Sequence, residues 1–187
     1  MTVHVGIDLD GCIYPFVTAY NNVFGPEGAD DTAWTGYYSY RQWGITDDQF
    51  KGHLKSGAKY KFLFEREPPY PGVIAAWQRL MDMPVKVHVI THRVREAWGS
   101  TVRWLEAYGF QPDTLTFSSD KRVLEALAGL DASHLTMCED TVSQFEQIRD
   151  HGIDAYLIDQ PWNREIDTPK RVPDFSAFVD KVEEAVG

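Results

Sequence analysis

Asp8 and Asp10, one residue apart and followed by Gly11, are the residues whose types and spacing could do chemistry. A carboxylate can attack phosphorus and form an aspartyl-phosphate, which splits one difficult displacement into two easier ones. The departing alkoxide needs a proton. A second carboxyl group could give it and then take one from the water that breaks the intermediate. Asp8 is the candidate nucleophile and Asp10 the candidate acid/base. Alone the pair is a weak signal, because Asp-Gly is a common turn. Its weight comes from an ordered set further along: Thr91 after Ile90, Lys121, and the pair Glu139-Asp140. The Thr91 hydroxyl and Lys121 are candidates to hold phosphoryl oxygens as charge redistributes. A phosphate dianion repels an attacking carboxylate by on the order of 4 kcal/mol per unit-charge pair at about 4 Å and an effective dielectric near 20, so a cation must offset it. Carboxylate oxygens suit magnesium, whereas zinc would usually want histidine or cysteine.

These residues need a frame that brings them together. Val3, Val5 and Ile7 alternate up to Asp8, which predicts a strand that delivers Asp8 and Asp10 at its carboxyl end. After Pro71-Gly72, helical spacing over Val73 to Met81 precedes a strand through Val85, Val87, Val89 and Ile90 that stops at Thr91. The alternation continues with a helix near Glu96 to Tyr108, a strand at Leu115 to Phe117, a helix from Asp120 to Ala128 and a strand at Leu135 to Cys138. A helix over Val142 to Asp150, a strand at Ala155 to Ile158 and a last helix over Phe175 to Val186 complete it. This order predicts the α/β class: an open, Rossmann-like parallel sheet with helices on both faces, binding its ligand beyond the strands' carboxyl ends. Residues 13–69 break the pattern. They are dense in aromatics (Phe16, Tyr20, Phe24, Trp34, Tyr37, Tyr38, Tyr40, Trp43, Phe50, Tyr60, Phe62, Phe64) and show no clear strand, so they read as a small, mainly helical insertion in a core of 1–12 and 70–187.

Composition bounds the rest. At 187 residues one domain with a modest insertion is expected. No apolar run approaches the roughly 20 residues a membrane helix needs, and the first residues lack the basic and apolar parts of a secretory signal, so the cytoplasm is the expected location. Cys12 and Cys138 are expected to be free thiols. Acidic residues outnumber basic ones 28 to 18, which disfavours a nucleic acid polymer as partner and leaves a small anionic ligand held by local cations or a metal. A homodimer is compatible with the sequence.

In their order and residue types, Asp8-Leu9-Asp10-Gly11, Thr91, Lys121 and Glu139-Asp140 resemble the four motifs of the haloacid dehalogenase superfamily. The resemblance implies a magnesium-dependent phosphatase with Asp8 as nucleophile, Asp10 as acid/base, and Thr91 and Lys121 on the phosphate. By the same resemblance Asp8, the backbone carbonyl of Asp10, and Asp140 hold the metal, with Glu139 assisting. Relatives often have two aspartates in the last motif, so the division of labour between Glu139 and Asp140 stays open. A narrower resemblance, over Gly152 to Arg164 with Pro161-Trp162-Asn163 at its end, is to 5'(3')-deoxyribonucleotidases. Those enzymes also carry a small helical cap after the first motif. It implies a nucleoside monophosphate as substrate, Phe16 on the nucleobase, and Trp43 as a candidate second face. The alternatives are another small phosphomonoester such as a sugar phosphate, and a nucleotide-binding protein that has lost turnover. The intact set of motif residues argues against the last.

Each feature also has a plainer reading. Aromatics in a small insertion are more often its core than a ligand platform. His92 and Arg93 after Thr91 read as a solvated loop or as phosphate contacts, and His4 and His88 as strand side chains without a metal. Cys12 has no base beside it for a thiolate mechanism.

Overall fold

The computed structural model describes residues 2–36, 38–60 and 63–187. Tyr37 and Phe62, two of the aromatics named above, lie outside the described residues. Among the described residues six parallel strands form one sheet: β1 (Val3–Ile7), β2 (Val85–Thr91), β3 (Thr114–Phe117), β4 (Leu135–Glu139), β5 (Asp154–Ile158) and β6 (Arg171–Val172), in the order β3-β2-β1-β4-β5-β6. The order reverses beside β1, where Ile7 lies opposite Val89 on one side and Cys138 on the other. That reversal opens a crevice beyond the carboxyl ends of β1 and β4, the place where open α/β sheets take ligands.

Among the described residues seven helices accompany the sheet: α1 (Phe16–Phe24), α2 (Asp47–Lys59), α3 (Val73–Met81), α4 (Trp98–Ala107), α5 (Val123–Ala128), α6 (Val142–Asp150) and α7 (Phe175–Val186). Successive strand side chains point to opposite faces, so each face acquires its own apolar layer. Val5, Ile7, Val87, Val89, Cys138 and Ile158 share one buried cluster with Trp77 of α3, Trp104 of α4 and Phe178 of α7. Ile90, Met137, Ala155 and Leu157 form the other with Leu124 of α5 and Phe145 and Ile148 of α6. The open α/β sheet covered on both faces is the architecture that the alternation of elements predicts. The one strand that the periodicity does not reveal is β6, whose two residues are too short to show a period.

Between β1 and α3 the chain builds no strand among its described residues. It holds α1, α2 and two short 3-10 turns, Asp31–Ala33 and Ser39–Trp43. Ring packing organises this aromatic segment. Tyr20 of α1 lies 5.1 Å from Phe50 and 5.7 Å from Trp34 between ring centroids, and Tyr40 stacks on Phe50 at 4.0 Å. Polar atoms among the rings find partners, as buried polar groups must. Trp34 Nε1 donates to Asn21 Oδ1 at 2.9 Å, and the Tyr20 hydroxyl pairs with His53 Nδ1 at 2.8 Å. Thr46 and Gln49 close a reciprocal capping box at the start of α2. The segment's Ile13, Tyr14, Tyr20, Trp34, Leu63 and Phe64 belong to the same buried cluster as Val5 and Ile7, so segment and sheet share one core. No described helix is long and apolar enough to cross a membrane.

Candidate active site

Asp8 leaves β1 with its N–H donated to the Cys138 carbonyl at 3.2 Å, so the sheet ladder still holds its backbone. The chain then folds over the Leu9 carbonyl, which accepts from the N–H groups of Cys12, Ile13 and Tyr14 at 3.3, 3.0 and 2.8 Å. Gly11 makes this turn with φ of 81°, and a Cβ there would lie 2.1 Å from Asp140 Oδ2. Only glycine lets the turn approach the second carboxylate this closely.

Lys121 enters from the turn before α5, and Ser118 fixes that turn by donating to the Asp120 carbonyl at 2.9 Å. Its ammonium is 1% exposed, donates to Asp8 Oδ1 and to the Ile90 carbonyl, and lies 3.7 Å from Glu139 Oε2. Glu139 turns its other oxygen to its own loop, where Oε1 accepts from the N–H groups of Asp140 at 3.1 Å and Thr141 at 3.0 Å. Asp140 Oδ2 accepts from Trp162 Nε1 at 2.7 Å, and the Asp140 carbonyl accepts from Asn163 Nδ2 at 2.7 Å. Gln160 Nε2 donates to the Gly11 carbonyl at 2.6 Å. The Gln160 to Asn163 stretch is thus a clasp that ties the end of β4 to the turn after β1.

Asp10 is held from behind. Arg93 Nε lies 3.0 Å from its Oδ1 and 3.1 Å from its Oδ2, and Nη2 lies 2.7 Å from Oδ1. Arg93 is buried, which corrects its reading as a solvated loop residue. Its planar fork is occupied by Asp10, and the residue borders the cavity beside it.

Four carboxylates (Asp8, Asp10, Glu139, Asp140) thus face two buried cations (Lys121, Arg93). Burial raises the pKa of Asp8, Lys121 opposes, and Glu139 and Asp10 add to the rise, leaving it pushed up to about 7. Burial, with Glu139 and Asp8 next, pushes Asp140 well above the usual carboxylate range. Burial disfavours the charged form of Lys121, but Asp8 and Glu139 outweigh it and raise its pKa. A dication would relieve this excess of negative charge. Asp8, Asp140 and Cys12 can each offer one atom, all within 4.8 Å of one another, and the buried Glu139 Oε2 receives no hydrogen bond. The oxygen atoms suit a hard cation. Cys12 is a poor ligand, because burial and its hydrogen bond with Cys138 hold its thiol well above the ordinary range.

Above this floor lies a cavity of about 620 Å³, within the usual range for small-molecule sites. Phe16, Trp34, Phe50, Leu54 and Phe64 of the aromatic segment form one wall, and Thr141, Ser143 and Gln144 at the start of α6 form another. Asp8, Asp10, Lys121, Glu139, Asp140 and Phe16 therefore converge on one space. Thr91 does not line it: the residue is fully buried, and its hydroxyl accepts from Arg93 N–H at 3.4 Å. Trp43 does not line it either, and packs against Trp34 with ring centroids 6.0 Å apart. His92 does, and burial lowers its pKa. The sequence reading did not single out Trp34, Phe50, Leu54 or Phe64 from the other aromatic and apolar residues. For Phe50 and Leu54 a signal existed, since their spacing puts both on one face of α2.

No family model matches this sequence, and no curated protein matches it. Solved structures do. A haloacid dehalogenase-like family hydrolase from Streptococcus pneumoniae superposes with a TM-score of 0.69 at 13% identity, covering 97% of this chain and 98% of that one. The fold is that of the haloacid dehalogenase-like hydrolases. A protein described as a predicted phosphoglycolate phosphatase from Haemophilus somnus matches at 0.68 and 15% identity, over 97% of this chain and 98% of that one. The L-2-haloacid dehalogenase from Xanthobacter autotrophicus matches at 0.66 and 11%, over 98% and 99%.

Proposed function

We propose that this protein is a magnesium-dependent phosphomonoesterase that hydrolyses nucleoside monophosphates, as 5'(3')-deoxyribonucleotidases do, through an aspartyl-phosphate on Asp8. The observation that carries the reading is one cavity with a carboxylate and lysine floor and an aromatic wall, so that reacting groups and a flat apolar surface meet the same ligand.

An Asp8 oxygen attacks phosphorus as the ester P–O bond breaks, and the alkoxide leaves with a proton from Asp10. Water then attacks the phosphoryl group, Asp10 takes its proton, and the Asp8–phosphorus link opens to release inorganic phosphate. Lys121 holds Asp8 as a carboxylate and offers charge to the phosphoryl oxygens. Thr91, fully buried and outside the cavity lining, is given no part in this step. Asp8, the Asp10 carbonyl and Asp140 would hold magnesium, with Glu139 beside them. When bound, the ion supplies charge that offsets the repulsion between Asp8 and the phosphate dianion. Residues 13–69 serve as a cap that closes the cavity, and the two free buried cysteines fit a reducing compartment such as the cytoplasm.

A second reading rests on the other wall. Thr141, Ser143 and Gln144 could hydrogen-bond the hydroxyls of a sugar phosphate, and one structural neighbour is described as a predicted phosphoglycolate phosphatase. Dehalogenation, the activity named for another neighbour, fits less well. A departing halide needs no proton from Asp10, and the carboxylates of the floor would repel a haloacid.

The deciding experiment follows phosphate release from nucleoside monophosphates that differ in base, sugar and phosphate position, against sugar phosphates, with and without magnesium. Magnesium-dependent turnover of nucleotides in preference to sugar phosphates supports the first reading, and the reverse preference supports the second. Inactivity toward all of them sinks both.

A further inference from the structure

Arg93 is the buried cation to which the proposed reaction gives no part. We propose that it is the positioning residue of Asp10: it holds the carboxylate in the orientation that protonates the leaving group, and it makes that orientation depend on the seating of the aromatic segment. The inference rests on the reading of Asp10 as acid/base.

Three observations carry it. First, the grip is asymmetric. Asp10 Oδ1 accepts from both Nη2 at 2.7 Å and Nε at 3.0 Å, whereas Oδ2 shares only Nε at 3.1 Å. Oδ2 is the less restrained oxygen, and therefore the one with room for a proton. A planar guanidinium fixes a carboxylate in plane, where an ammonium gives a single point charge. Second, the geometry places acid and cation in series. Both residues border the cavity, but the Asp10 side chain is 25% exposed whereas the Arg93 side chain is 0% exposed. A guanidinium offers donors and no acceptor, so it orients the acid without competing for its proton.

Third, the guanidinium is held by both ends of the aromatic segment. Its carbon lies 4.6 Å from the Tyr14 ring centroid and 4.9 Å from that of Phe64. Nη1 donates to Thr101 Oγ1 of α4 at 2.9 Å and reaches the Phe64 carbonyl at 3.4 Å. Tyr14 and Phe64 stand where the chain leaves β1 and where it returns toward α3, and the Tyr14 hydroxyl donates to the Leu63 carbonyl, which joins the two. A shift of the segment therefore moves the rings that sandwich the guanidinium, and with them Asp10.

The test varies the leaving group. The ratio kcat/KM reports the steps up to departure of the alcohol. Protonation matters for the alkoxide of a nucleoside 5'-monophosphate and hardly at all for the phenolate of p-nitrophenyl phosphate. In Arg93→Gln, with magnesium present, kcat/KM for the nucleotide should fall about 100-fold, the scale of general acid catalysis, and for p-nitrophenyl phosphate less than about fivefold. Arg93→Lys, which keeps the charge but not the fork, should show the same split more weakly, and it carries the test if the Gln variant does not fold. In an Asp10→Asn background the Arg93 substitution should add no further split. Equal losses on both substrates by a folded variant overturn the proposal and leave the phosphatase reading standing. A wild-type protein inactive on both substrates overturns the reading itself and this inference with it.

Discussion

The floor of the cavity and its aromatic wall are built on different principles. On the floor, hydrogen bonds to backbone atoms at strand ends place three of the carboxyl-bearing residues: Asp8 through Cys138, Glu139 through the N–H groups after it, and Asp140 through Asn163. On the wall, positions follow from rings packed on rings, as with Phe16 on Phe64 at 6.1 Å and Tyr40 on Phe50 at 4.0 Å. A hydrogen-bonded strand end tolerates little displacement, whereas stacked rings can slide at small cost. On the proposed function, the sheet is thus suited to fix chemistry and the segment to fix which molecule enters.

The largest effect that tests this division comes from the floor. Asp8→Asn loses the nucleophilic charge and almost no volume, so turnover should fall at least about 1000-fold, with the circular dichroism spectrum unchanged. Residual activity close to wild type would show that the floor does not do covalent chemistry. The clasp is the next target. Trp162→Phe removes the N–H that Asp140 Oδ2 accepts at 2.7 Å and keeps most of the aromatic bulk. Partners of metal-binding carboxylates typically alter affinity 10- to 100-fold. Magnesium affinity, measured by calorimetry without substrate, should therefore weaken about tenfold, and an unchanged affinity would mean that Asp140 needs no such support.

The wall should respond in another quantity. Phe16→Leu keeps an apolar side chain but loses the flat face. The KM for a nucleoside monophosphate should rise about fivefold, the scale of one aromatic contact, with kcat and the KM for ribose 5-phosphate nearly constant. If kcat falls instead, the wall takes part in placing the reacting groups and the comparison breaks.

The two regions also differ in how far the sequence reveals them. The alternation of helix and strand announces the sheet, because strands buried on both faces read as short apolar runs and their ends are marked by polar residues such as Asp8, Thr91 and Glu139. Spacing alone therefore suffices to gather most of the floor. Arg93 could not be read this way. Whether an arginine after a strand meets water or a carboxylate depends on Tyr14 and Phe64 closing over it, residues far apart in the chain. Trp34 and Trp43 show the same limit. Both lie in one aromatic stretch, and the 3-10 turns between α1 and α2 decide that Trp34 faces the cavity while Trp43 packs against it. Local propensity carries little information about such turns.

The smallest effect contrasts the regions most directly, because their titrating groups push stability in opposite directions with pH. In the metal-free protein Asp8 has a folded pKa of about 7 against 3.8 for an ordinary aspartate. Between those values the folded state binds more protons than the unfolded chain, so the floor loses stability as pH rises from about 4 to 7. His53, stacked on Phe24 at 4.1 Å in the aromatic segment, has its pKa lowered by burial from the ordinary 6.5. There the unfolded chain binds more protons, so the segment is stable above about pH 6.5 and loses stability as pH falls through the folded value. Amide exchange along α2 should therefore quicken a few-fold relative to β1 between pH 7.5 and 5.5, after correction for intrinsic rates, and His53→Phe should remove most of that difference. Magnesium should flatten the pH dependence of β1 protection while leaving that of α2 in place. A common response of both regions to magnesium and pH would mean that they open as one unit, and that the continuous core beneath them outweighs the difference in how their surfaces are built.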